Sequence, residues 1–166
     1  MPNLEKTSSV NIACVRRDEI KKALANGTAW FLEAGRLLCE ANRERDYLAL
    51  GYNNQSEWVR SEFNISLSTA HNLMDIWELF KNQPKGELCK AGYTRLTKLL
   101  PVVRKLKESQ QDEAIQEWLH KAIELPAGAF EDEIKEYSGK IPIDSCDHEF
   151  KTLKVCKKCG ARFWED

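Results

Sequence analysis

The sequence predicts an all-α fold: a helical domain containing a helix-turn-helix outline, followed by a small metal-binding knuckle or ribbon. Three observations predict it. Apolar residues recur at spacings of three and four from Ile20 to Tyr137, the helical period. Pro, Gly, Asn and Ser punctuate that pattern at intervals suited to short helices. Three of the six cysteines crowd between positions 146 and 159. A chain of 166 residues holds one ordinary domain and a small appendage. Hydrophobic residues at 42% and charged residues at 31% exclude a wholly disordered or fibrous chain.

Residues 1–16 have no apolar period and include Pro2, Asn3, Thr7, Ser8 and Ser9, which predicts a flexible arm. The helical domain spans 17–139. Ile20, Ala23 and Leu24 open its pattern, and Trp30, Phe31, Ala34, Leu37, Leu38 and Ala41 continue it; Gly27 either separates two helices or weakens one long helix. The run 46–52 breaks the period at turn-forming Gly51, followed by Asn53. A short helix from Gln55 to Phe63 buries Trp58, Val59 and Phe63. After the turn Asn64-Ile65-Ser66, Ser66 is placed to cap a second helix with apolar positions Ala70, Leu73, Met74, Trp77 and Phe80. Leu96, Leu99, Leu100, Val103 and Leu106 mark a further helix that Pro101 is expected to kink. Ala114, Ile115, Trp118, Leu119, Ala122 and Ile123 form another. Pro126 interrupts it, and Phe130, Ile134 and Tyr137 define a last short helix.

Residues 140–166 form the predicted metal tail. No signal-peptide core opens the chain and no apolar run is long enough for a membrane span, so a reducing, cytoplasmic setting is expected, with no membrane partner. There, clustered cysteines more often hold metal than pair. Cys156-Lys157-Lys158-Cys159-Gly160 sets two thiols around a tight turn, and Cys146 and His148, two apart in an extended segment, point to one side. Cys146, His148, Cys156 and Cys159 thus make a closed tetrahedral Cys₃His set for one structural Zn²⁺. The seven residues between the two halves suffice for a minimal hairpin. So short a segment cannot bury enough apolar area to fold without such a staple. Free thiols or a redox pair are the alternatives; a redox pair would need a thioredoxin-like context that is missing from the sequence. Cys14, Cys39 and Cys89 stand apart and read as small buried hydrophobes.

A closed zinc site has no position for substrate, His71 and His120 read as ordinary helix residues, and no Gly-rich phosphate loop occurs, so an enzyme is not expected. Charge is unevenly spread despite a net of −1. Arg95, Lys98, Arg104, Lys105 and Lys107 form a basic run, Glu108 to Glu136 is acidic, and the tail from Lys151 is basic again. Such blocks suit a polyanion or are simply solvated helix faces.

Residues 55–82 have the outline of a helix-turn-helix. Together with 32–38 (LeuGluAlaGlyArgLeuLeu) and 47–52 (TyrLeuAlaLeuGlyTyr), the stretch 56–70 resembles helix-turn-helix proteins of phages and plasmids, which are distantly similar to the DNA-binding core of ParB-type partition proteins. The resemblance implies a DNA-binding regulator or accessory factor of a mobile element, with double-stranded DNA as partner and a homodimer as the working unit. Ser68, Thr69, His71 and Asn72 would meet base edges, and Arg60, Lys81, Arg104 and Lys105 would meet phosphates. The competing expectation is an interaction adaptor that binds another protein through its helices and zinc tail.

Purified protein should carry one zinc per chain, and Cys156→Ser or Cys159→Ser should abolish it. Chelation should unfold the tail, whose folding energy is metal-binding energy of order 10 kcal/mol, while the far-UV helical signal persists. Wild-type protein free of metal by elemental analysis, purified without chelator, overturns the zinc assignment.

Overall fold

The structure, a computed structural model, describes residues 3–25, 29–106, 111–138, 153–155 and 162–164. Among the described residues eight helices follow one another: α1 (Asn3–Ala25), α2 (Trp30–Glu44), α3 (Asp46–Ala49), α4 (Gln55–Phe63), α5 (Leu67–Phe80), α6 (Lys85–Val103), α7 (Gln111–Glu124) and α8 (Ala127–Tyr137). Two short strands, β1 (Leu153–Val155) and β2 (Arg162–Trp164), pair antiparallel. The fold class is all-α, as the apolar period predicts.

α2 is the central element. Phe31, Leu32, Ala34, Gly35, Leu37, Leu38 and Ala41 are all buried, which covers two adjoining faces rather than one narrow stripe. One side meets α1 and the other meets α5. At the α2–α5 contact the backbones nearly touch. A Cβ on Gly35 would lie 2.3 Å from the Leu73 carbonyl oxygen and 3.1 Å from the Trp77 Cβ. Only glycine permits that separation, because the obstacle is backbone that cannot rotate aside. α6 packs on α5, and α7 and α8 pack on α6, so the core runs continuously from Ile20 and Phe31 through Trp58, Leu73 and Phe80 to Leu99, Ile115 and Phe130.

Three local features differ from the sequence expectation. Residues 3–16, expected within a flexible arm, belong to α1. What anchors this segment is tertiary: Ala13 is fully buried, and the Arg16 guanidinium donates to the carboxylate of buried Asp46 at 2.6 Å. Neither a lone alanine nor one distant ion pair leaves an apolar period to read. The break in α6 is at Gly92 (φ 77°, ψ 162°), not at Pro101. Pro101 sits exposed in the last turn, where losing one helical hydrogen bond distorts little. Ile76 is fully buried on α5, whereas Met74 and Trp77, expected inside, are half-buried at its edge.

The other elements form where local chemistry favours them. Arg45 (φ 56°) and Asn64 (φ 53°) take left-handed conformations that end α2 and α4, a geometry asparagine tolerates better than most residues. The described part of α1 ends at Ala25 and α2 begins at Trp30; Gly27, expected either to separate two helices or to weaken one, lies outside the described residues. Among the described residues no helix is long and apolar enough to cross a membrane.

Gly35→Ala should lower stability by roughly 2 kcal/mol or more, because overpacking against backbone cannot relax cheaply. Gly86→Ala, where a Cβ meets open space inside α6, should instead raise it by about 0.5 to 1 kcal/mol through helix propensity. Thermal or urea unfolding of the two variants should therefore give shifts of opposite sign; equal shifts would exclude the close α2–α5 approach.

Candidate nucleic-acid interface

α4 and α5 are defined by their caps. The Asn54 side chain accepts the Glu57 N–H at 2.9 Å, and the Glu57 carboxylate in turn accepts from the Asn53 backbone and side-chain amides, both at 3.2 Å. This reciprocal arrangement starts α4 in the manner of a capping box. The three-residue turn 64–66 follows. Ser66, in extended conformation, accepts the Thr69 N–H at 3.0 Å and starts α5, as its position in the sequence predicts.

The same serine gathers two candidate base-reading residues. Ser66 Oγ lies 2.7 Å from Ser68 Oγ and 2.8 Å from Thr69 Oγ1, so the three hydroxyls form one cluster at the helix N-terminus. Ser68 and His71 are exposed, and Thr69 and Asn72 are half-buried. Ala70, Leu73, Ile76 and Phe80 face the core. Positions 68, 71, 75 and 78 follow the helical spacing of three, four and three along the outward side of α5.

α4 is pinned to α1 through Glu62. Its carboxylate takes the Lys21 ammonium at 2.5 Å and the Tyr52 hydroxyl at 2.7 Å, with Arg17 at 3.8 Å. Burial alone would raise the Glu62 pKa. The bonds from Lys21 and Tyr52 and the positive charges of Lys21 and Arg17 outweigh it and hold the carboxyl below its ordinary range. The same bond to Glu62 is the main reason the Tyr52 phenol is held above its ordinary range.

The candidate phosphate contacts are not equivalent. Arg60, Lys81 and Lys105 are exposed, and none has an ion-pair partner among the described residues. Arg104, just past the end of α6, is bonded to Asp75 of α5. That pair brings the α6 terminus to the same helix that carries Ser68, His71 and Asn72. The basic run beginning at Arg95 is thereby divided. Arg95 points inward, donating to the Ala122 carbonyl with its guanidinium 5.8 Å from the centre of the Phe130 ring, and Lys98 pairs with Glu131. Lys107 lies outside the described residues. The acidic helices are compensated only in part, by Lys121 with Glu133 at 3.0 Å and Lys135 with Asp132 at 2.9 Å.

Between α2 and α5 runs an open groove of about 440 Å³ lined by residues including Arg36, Cys39, Arg43, Trp77 and Lys81. Burial, reinforced by the negative charges of Glu78 and Asp75, pushes the Cys39 thiol up to about 12. It stays protonated at neutral pH and behaves as a packing residue rather than a nucleophile.

The metal ligands expected at Cys146, His148, Cys156 and Cys159 all lie outside the described residues. Among the described residues no group of three or more His, Cys, Asp or Glu could hold a metal ion. The strands that flank the tail's Cys-X-X-Cys are described: Leu153 pairs with Trp164, Lys154 with Phe163 and Val155 with Arg162. Cys156 and Cys159 stand between these two strands in sequence and lie outside the described residues. The minimal hairpin expected within 149–155 involves 149–152, which lie outside the described residues.

Comparison with protein-family models, with curated proteins and with solved structures finds no match for this chain.

The Glu62 anchor sets a pH dependence. Because its folded pKa is depressed, the stability it contributes is fully present above the unfolded carboxylate value of about 4.3 and is lost as pH falls through the folded value. Glu62→Gln should lower stability at neutral pH and bring the curve together with wild type under acid conditions. A constant difference between the two proteins across this range, measured by urea unfolding, would remove Glu62 from the linkage.

Proposed function

We propose that this protein binds double-stranded DNA sequence-specifically through α4 and α5 acting as a helix-turn-helix, as a transcriptional regulator or accessory factor of a phage or other mobile element. The observation that carries the reading is the arrangement of α5. Its N-terminus is capped by Ser66 and follows a three-residue turn, and its first two turns present Ser68, His71 and Asn72 while Ala70 and Leu73 fix it to the core. The N-terminal turn of such a helix enters the major groove, and its unsatisfied N–H groups favour the negative surface there. Asn72 is suited to a bidentate contact with adenine. Arg60, Lys81 and Lys105 supply phosphate contacts, and the first turns of α5 carry no cation of their own.

That shortage is why a homodimer is part of the proposal: two subunits on a palindromic site double the number of phosphates neutralised. The tail adds a structural Zn²⁺ held by Cys146, His148, Cys156 and Cys159. The donor set suits the ion, and in sequence Cys156 and Cys159 stand between the two paired strands, a spacing compatible with one shared ion. A closed site of this kind gives the tail a fixed surface, available to DNA or to a protein partner, and contributes no catalysis. The same features describe a cytoplasmic protein that is not an enzyme.

Duplex binding measured between about 50 and 200 mM salt tests the proposal. Affinity should fall steeply with salt, and Asn72→Ala should cost about 1 to 3 kcal/mol on a selected site and little on random duplex. Equal losses on both would remove Asn72 from base reading. Absence of any duplex binding at low salt would replace this reading with that of a protein-binding adaptor.

A further inference from the structure

We propose that Arg104 acts as a positioning residue that cancels the charge of Asp75 on the DNA-facing side of α5, rather than as a phosphate contact. The inference rests on the DNA-binding reading above and assigns Arg104 a different role from the one its sequence context suggests. Asp75 is seven residues beyond Ser68 and four beyond His71, so it belongs to the outward face that those residues define. Its side chain retains 31% exposure. With Glu78 three residues further on, this face carries two carboxylates on the side that approaches a polyanion. An uncompensated carboxylate roughly 12 Å from a phosphate near the protein surface is repelled by about 1.4 kcal/mol, a factor of ten in affinity.

Arg104 removes that repulsion. The bond from its Nη2 to Asp75 Oδ2 crosses from the end of α6 to the middle of α5. Engaged there, the guanidinium is committed to a carboxylate, and a phosphate contact would have to break that bond first. Lys105 and Lys81, the neighbouring exposed cations among the candidate contacts, have no carboxylate partner among the described residues. The Arg104–Asp75 pair lies at the surface, half-exposed at Arg104 and less so at Asp75, so its removal is expected to cost little folding stability.

The two roles separate in a double-mutant cycle. Wild type, Arg104→Ala, Asp75→Asn and the double variant would be compared on random-sequence duplex at about 50 mM salt, with thermal unfolding as a control for folding. Arg104→Ala alone should bind about tenfold more weakly, and adding Asp75→Asn should restore affinity to near the wild-type value. Asp75→Asn alone should bind at least as tightly as wild type. A double variant as weak as Arg104→Ala, with a salt slope reduced by about one, would identify Arg104 as a direct phosphate contact and overturn the proposal. Failure of the wild type itself to bind duplex would instead overturn the functional reading, and this inference with it.

Discussion

The approach of α2 to α5 at Gly35 is the constraint on which the rest of the molecule depends. With the Leu73 carbonyl occupying the space where a side chain would begin, the crossing point and rotation of α5 are fixed within narrow limits. One turn further along α2, the Cys39 thiol lies 3.7 Å from the Met74 carbonyl, extending the same contact. Once Leu73 faces α2, the helical period sends Ala70, Ile76 and Phe80 inward and leaves Ser68, His71, Asp75 and Glu78 outside. α6 then packs on the side of α5 that remains, which is how Arg104 comes to meet Asp75. A glycine in α2 thus determines which side chains α5 can offer to a partner.

Electrostatics follow from that packing rather than from composition. A chain with 25 basic and 26 acidic residues could segregate them into strongly charged faces, yet here most named cations of the body are matched locally. Arg16 is committed to Asp46, Lys21 to Glu62, Arg36 to Glu33 and Glu40, Lys98 to Glu131 and Arg104 to Asp75. The part-buried Arg16–Asp46 pair holds α1 against α3 and is costly to break from the Arg16 side, since buried Asp46 would be left as an uncompensated charge. The exposed pairs contribute little to stability and mainly shape the field. A protein so balanced would rely on a few free cations and on symmetry for affinity toward a polyanion, and on contacts with bases for selectivity.

Much of this was legible in the sequence, for a physical reason in each case. Trp58, Val59 and Phe63 on α4, Leu99 and Val103 on α6, and Ile115 and Leu119 on α7 all announce themselves by period, because each helix buries one continuous face. Ser66 is recognisable as a cap because its partner is only three residues away. Interactions between residues distant in sequence leave no such trace. Arg16 and Asp46 are separated by 30 positions and Arg104 and Asp75 by 29, so neither the anchoring of the first helix nor the pairing of Arg104 with Asp75 could be read from spacing. Gly92 escaped notice because Pro101 is the stronger helix breaker by residue type, although its place in the last turn makes it harmless. The tail ligands rest on sequence chemistry, joined by the strand register on either side of Cys156 and Cys159.

The hydroxyl cluster at the start of α5 orders the candidate reading residues. A serine hydroxyl has one proton to donate, and both Ser68 and Thr69 lie within hydrogen-bonding distance of Ser66 Oγ, which already accepts the Thr69 N–H. If either hydroxyl turned to a base edge, it would give up a bond within the cap that holds the helix end. The net gain would be the difference between two similar hydrogen bonds, which is small. His71 and Asn72 take part in no such cluster among the described residues, so a bond to a base would not cost one of its hydrogen bonds. Under the proposed DNA-binding reading, selectivity at this face would fall chiefly on Asn72 and His71, while Ser66, Ser68 and Thr69 hold the helix terminus together.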